Sequence, residues 1–205
     1  MPNDGLTCIV GANDNRRAAA ERFVANAYRR EFATHPGTHY PELLCHWSRN
    51  GTLRAACGLR HASGGPLFLE QYLDAPVEAA LSEAFGMPVL RRSIVEIGSL
   101  ASEEPAALFE LVGAAAELIV ARRGLYGVVT ATGSVQRLFR QLSLPTETLG
   151  PARPERLPDG GRGWGTYYQH SPMVLAGFMP DCIMALWSRR PRTRLVPLYT
   201  ALAAV

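Results

Sequence analysis

Short apolar runs alternate along this chain with longer segments of helical period. LTCIV, bounded by Gly5 and Gly11, predicts a first strand. The following segment places Ala20, Phe23, Val24, Ala27, Tyr28 and Phe32 on one helical face and Arg22, Arg29 and Arg30 opposite, with Asn13 or Asn15 as the expected cap. ELLCHWSRNGTLRAACGLRHA holds two β-like runs around Asn50-Gly51, a dipeptide whose tolerance of positive φ predicts a hairpin. PLFLEQYLD reads as a short strand or a helical turn, and PVEAALSEAFG, with proline before and glycine after, as a short helix.

In the middle of the chain a strand is expected over about Ser93 to Ala101, with a carboxylate, Glu96, inside it. A helix from Glu104 to Arg123 follows, acidic at its start and basic at its end, as the helix dipole favours. YGVVTATG predicts the next strand, and SVQRLFRQL the next helix with Ser134 as its cap. A strand–helix–strand series of this length implies a right-handed crossover and a partly parallel sheet. PARPERLPDGGRG is loop by composition, and WGTYYQHSPMVLAGFM is expected as one strand or a bent pair broken at Ser171-Pro172. The expected organisation is one α/β domain over residues 1–179 and a partly helical, basic extension over 180–205.

Composition narrows the classes. Of 205 residues, 47% are hydrophobic and 19% charged, the balance of an ordinary globular protein. The net charge of +3 does not point to nucleic acid, and every cationic side chain is arginine. Arginine codon bias explains that; bidentate grip on phosphate or carboxylate is compatible with it. The four cysteines form no C-x-x-C pair and the five histidines are dispersed, so no metal site is expected and the cysteines read as free thiols in a reducing cytoplasm. The amino terminus does not read as a signal peptide and no run is long enough to span a membrane, so the expected location is cytoplasmic.

Three segments in order, LFLEQYLD, IVEIGSLAS and WGTYYQHSPMVLAG, resemble the thermostable hemolysin family from about Phe23 to Gly177. The order of elements also resembles the GNAT acyltransferase fold shared with acyl-homoserine lactone synthases. That second resemblance implies a mixed, partly splayed β-sheet flanked by helices. It also implies an acyl thioester as co-substrate, on acyl carrier protein or coenzyme A, with no tightly bound cofactor. A small amine or amino acid would be the acceptor.

Residue by residue, the resemblance puts the splayed strands at Val95 to Ala101 and Gly127 to Thr132, with backbone at Ser99, Leu100 and Ala101 holding the pantetheine arm. Glu96 stands where lactone synthases carry a glutamate base; alternatively it pairs with Arg60 or Arg92 and only holds the sheet. Ser99 replaces the arginine those synthases place three residues later, which puts lactone formation in doubt. Arg60 matches an arginine position of theirs and is a candidate for the acceptor carboxylate, with Arg30 for phosphate. Glu70 and Gln71 either orient the acceptor or satisfy local backbone and an arginine. Tyr168 is the candidate acid for the leaving thiolate, on the premise that Tyr167 and Tyr168 occupy opposite faces of a strand. Trp164 closes the core or lines an acyl pocket, and Thr130 and Thr132 share a face from which to bond the donor arm.

The turn SLASEEPAAL has two glutamates where many coenzyme A enzymes have a glycine-rich pyrophosphate loop, which favours a carrier protein as donor. A serine-hydrolase triad from His46, His61 or His170 with Ser171 or Ser99 lacks the G-x-S-x-G elbow. The competing class is a protein lytic to membranes in its own right, its contact made by the tail SRRPRTRLVPLYTALAAV.

Overall fold

Four strands from the amino-terminal half lie side by side, antiparallel and in chain order: β1 (Leu6–Val10), β2 (Glu42–Trp47), β3 (Leu53–His61) and β4 (Ile94–Ser102). In this computed structural model, which describes residues 5–35, 37 and 40–188, three more strands complete one mixed sheet. They are β5 (Tyr126–Ala131), β6 (Glu147–Pro151) and β7 (Met173–Phe178), and the order is β1-β2-β3-β4-β5-β7-β6. Among the described residues only β4 and β5 pair in parallel, and the helix between them, α3 (Pro105–Ala121), makes the crossover that such a pair requires. The expected α/β, GNAT-like mixed sheet is the fold observed.

Helices α1 (Arg17–Phe32) and α2 (Val77–Phe85) cover one face of the sheet; α3, α4 (Gly133–Gln141) and α5 (Met179–Trp187) cover the other. The small residues Ala107, Ala115 and Ala116 on α3 let it lie close to the sheet, while Leu111 and Ile119 fill the space between. Each of those two buried side chains contributes about 1.5–3 kcal/mol. Cys182 and Leu186 of α5 join the same core, so the first helix of the expected carboxy-terminal extension packs with the main domain. The remainder of that extension, including the basic segment and apolar end expected to touch membranes, lies outside the described residues. Among the described residues no helix is long and apolar enough to cross a membrane.

Several local expectations change. Neither Asn13 nor Asn15 caps α1; the cap position is Arg16, whose amide is held by the Asp14 carboxylate at 2.8 Å. At α4 the cap is Thr132, and Ser134 sits inside the first turn bonded to the Thr132 hydroxyl. PLFLEQYLD resolves as a 3-10 turn over Phe68–Tyr72.

The largest change is in WGTYYQHSPMVLAGFM, where the strand begins only at Met173. Arg162–Trp164 and Tyr167–His170 are 3-10 turns, separated by Gly165 at φ 54°. The Thr166 amide donates to the Phe32 carbonyl at 2.9 Å, and a Cβ on Gly165 would run into that same carbonyl. Pinned against the end of α1, the aromatic residues fill one space together instead of alternating across a sheet.

Candidate functional site

The β4–β5 pairing runs from Ile94–Tyr126 to Ile97–Val129 and then stops, although β4 continues to Ser102 and β5 to Ala131. The divergence has a local cause. Ser99 has φ 49°, and Ser99 and Leu100 together stand opposite the single residue Cys57 of β3. Such a bulge bends a strand and raises its twist. The edge of β4 from Gly98 to Ser102 keeps its partner in β3 while its other side faces a gap.

Two adjoining cavities occupy that gap. The first, about 200 Å³, lies between Ser99–Ser102, Thr130, Thr132, the start of α4 and the last turns of α1, with Arg30 at its rim. The second, about 330 Å³, is bounded by Tyr40, Arg60, Phe68, Gln71, Tyr72 and Trp164. They share Tyr28, Gly98, Ser99, Thr130 and Tyr167, so one cleft runs from the splayed strands into an aromatic chamber. The structure thus brings together Arg30, Arg60, Gln71, Ser99, Leu100, Ala101, Thr130, Thr132 and Trp164.

Thr130 Oγ1 is buried and has no hydrogen-bond partner among the described residues, although the Thr130 carbonyl accepts from the Tyr167 hydroxyl at 3.3 Å. An unpaired buried hydroxyl costs about 1–3 kcal/mol unless something bonds it.

Glu96 is 2% exposed and lines neither cavity; it stands behind the turn whose Leu67 and Phe68 form part of the chamber wall. Its carboxylate accepts the backbone N–H of Phe68 at 3.0 Å and of Leu69 at 2.9 Å. These two amides, which open the 3-10 turn, are its direct partners, in place of the Arg60 or Arg92 side chain suggested by the sequence. Burial raises the Glu96 pKa, against the two N–H bonds and the Arg60 charge, which favour the ionised form. Arg60 is opposite Glu96 in the β3–β4 register, and its guanidinium stands 5.6 Å from the centre of the Tyr40 ring.

Glu70 does not line the cleft. Its two oxygens take Arg91 at 2.7 and 2.8 Å and the amides of Leu67 and Val77. The Arg91 guanidinium, first, holds the Glu70 carboxyl down at about 2. Of the two readings of Glu70, the local one describes its contacts; Gln71 alone of the pair borders the chamber, its amide bonded to the Phe68 carbonyl.

Tyr168 is likewise outside the cleft. Its hydroxyl bonds Tyr72 at 2.7 Å, and the cavity it borders lies against Pro151–Arg156. The premise that it shares a strand with Tyr167 fails because both are in a 3-10 turn, and Tyr167 is the one that reaches the splay.

Tyr40 was not among the expected site residues. Its ring lies flat on Gly58 and Gly98, facing glycines of β3 and β4, where any Cβ would collide with it. Glycine inside two neighbouring strands signals such a close approach. Burial raises the Tyr40 pKa well above its usual value, so the phenol stays neutral.

Several solved structures are similar to the chain in fold. The acyl-homoserine lactone synthase LasI superposes with a TM-score of 0.61 at 12% identity, covering 94% of this chain and 100% of its own. A coenzyme A-dependent synthase of the same kind, BjaI, determined with SAM and isopentyl-CoA, gives 0.61 at 13% identity over 90% and 89%. FeeM, an N-acyl amino acid synthase from uncultured soil microbes, gives 0.57 at 15% identity over 87% and 94%. No curated protein sequence matches the chain. By sequence, residues 10–183 match the thermostable hemolysin family, and the chain belongs to that family.

Proposed function

We propose that the protein is an N-acyltransferase, taking an acyl group from a thioester and giving it to a primary amine. One observation carries the reading: the unpaired edge of β4 at Ser99–Ala101 faces a cleft that opens into a polar-lipped aromatic chamber. An extended pantetheine arm can pair with that edge as an added strand does. Thr130 Oγ1, without a partner among the described residues, is a natural donor or acceptor for one of its amides.

The turn into α3 favours acyl carrier protein over free coenzyme A. Glu103 donates its amide to the Arg54 carbonyl at 3.0 Å and pairs its side chain with Arg54; the Glu104 amide bonds the Ser102 hydroxyl; Pro105 has none. The amides of Glu103 and Glu104 are thus occupied, Pro105 has none to offer, and two carboxylates stand beside the turn, which makes it a poor seat for a pyrophosphate. A carrier protein brings a single phosphate, within reach of Arg30 at the rim.

In the chamber, Arg60 binds an acceptor carboxylate and the aromatic walls bind its body. Each Glu96 oxygen keeps a lone pair beyond its amide bond, and the carboxylate takes the proton that the ammonium must lose before its nitrogen attacks the thioester carbon. The carbon–sulfur bond then breaks, the pantetheine thiolate leaves and is protonated, and the amide remains. The direct test is to incubate the protein with acyl-carrier-protein and acyl-coenzyme A thioesters and a panel of amines and amino acids, and to search for amide products by mass spectrometry. Products from the carrier-protein donor support the reading; intact thioesters throughout overturn it.

A further inference from the structure

Away from the cleft, the sheet edge holds a pair of thiols with no part in acyl transfer. Cys8 of β1 and Cys45 of β2 are direct partners in the antiparallel register, so their side chains leave the same face of the sheet. Directly opposed residues in antiparallel strands have Cα atoms about 4.5 or 5.5 Å apart, depending on the pair type. Both values fall in the range of roughly 4.4–6.8 Å that disulfides span.

The two thiols differ in their surroundings. Cys8 is partly exposed, and the Arg16 guanidinium donates to its sulfur at 3.3 Å through Nη1. Arg16 is itself fixed by three bonds to Asp14, two from its guanidinium and one from its backbone amide. Cys45 is fully buried, and burial pushes its thiol up to about 12. One thiol is therefore reachable and held against a guanidinium that donates to its sulfur; the other is protected and directly across from it.

We propose that Cys8 and Cys45 are a peroxide-responsive dithiol pair that closes into a cross-strand disulfide. In the first step the Cys8 thiolate attacks one oxygen of hydrogen peroxide. The O–O bond breaks, the departing hydroxide takes a proton to become water, and Cys8 becomes a sulfenic acid. In the second step the Cys45 sulfur attacks the Cys8 sulfur; the S–O bond breaks, and the released hydroxide takes the Cys45 proton as water. Two thiols and one peroxide thus give one disulfide and two waters. The bond staples edge strand β1 to its neighbour and releases Arg16 from the sulfur.

The test treats the reduced full-length protein with stoichiometric hydrogen peroxide, alkylates the remaining thiols and maps peptides without reduction. The expected result is a Cys8–Cys45 linked pair, with Cys57 and Cys182 alkylated and Tm raised by roughly 5–10 °C. Arg16→Gln is expected to slow Cys8 oxidation about tenfold. Cys45→Ser is expected to halt the reaction at a sulfenic acid that a dimedone probe traps, which keeps the test valid if Arg16→Gln folds poorly. Cys8 driven to sulfinic acid while Cys45 remains alkylatable, or Cys8 no more reactive than the buried thiols, overturns the proposal.

Discussion

The Leu69 amide and the Glu96 carboxylate, 27 residues apart, meet at 2.9 Å behind the turn that walls the aromatic chamber, with the Phe68 amide at 3.0 Å on the second oxygen. One buried acid therefore fixes the turn that presents Phe68, Gln71 and Tyr72 to the chamber. In Glu96→Gln one amide would meet an NH₂ group instead of an acceptor, a loss of about 1–3 kcal/mol of stability by denaturant unfolding. Because burial raises the Glu96 pKa, ionising it in the folded state costs free energy, so its contribution to stability falls as pH rises through the raised value. Activity runs the other way: kcat/KM rises with pH as Glu96 loses its proton. Loss of that acidic limb in Glu96→Gln supports the base role; a limb unchanged in position and height leaves Glu96 a purely positioning residue.

Glu70 has the opposite sign. Arg91 and two backbone amides hold its pKa at about 2, against 4.5 for a free glutamate. Its stabilising contribution is present above the unfolded value and is lost as pH falls from about 4.5 toward 2. Glu70→Gln is expected to cost about 2 kcal/mol at neutral pH and to flatten acid unfolding in that window. Urea titrations at pH 7 and pH 3 check this; equal destabilisation at both values would mean that the Arg91 pair contributes little.

Arg60→Lys separates charge from shape. The substitution keeps a cation but loses the planar group over Tyr40 and the fork that fits a carboxylate. The expected outcome is a KM for a carboxylate-bearing acceptor raised about tenfold, with kcat changed much less. Steady-state kinetics with an amino acid and its decarboxylated amine give the comparison, and only the former should suffer.

At Thr130 the hydroxyl is buried without a partner among the described residues, so Thr130→Val removes a group unpaired there. The free protein is expected to be as stable as wild type or more so, while KM for the thioester rises about fivefold to tenfold through loss of one bond to the donor arm. Raised stability with an unchanged donor KM would show that the hydroxyl has no ligand.

Much of this site was legible in the chain, and the parts that were not have identifiable causes. IVEIGSLAS and YGVVTA announce buried parallel strands because both faces are covered and the runs are apolar. The place where they separate, Ser99, carries no such signature, since a serine at φ 49° looks like any other strand serine. The expectation of a strand through Tyr167 and Tyr168 rests on the preference of aromatic residues for strands, and the contact of Thr166 with the end of α1 outweighs that preference. Tyr40 stands in an irregular segment with no periodicity around it; only Gly58 and Gly98, set inside strands, hinted that something would lie across them.

The central claim is that a thioester spends its acyl group in the β4–β5 cleft. Its most direct measurement is the rate of thiol release from acyl carrier protein with and without amine, in wild type and in Ala101→Trp, which fills the cleft beside the unpaired edge. Amine-dependent release in wild type, with a matching amide product and a loss of at least about a hundredfold in a folded Ala101→Trp, is the predicted result. No thioester consumption by wild type, while liposomes leak on addition of the protein alone, would contradict it.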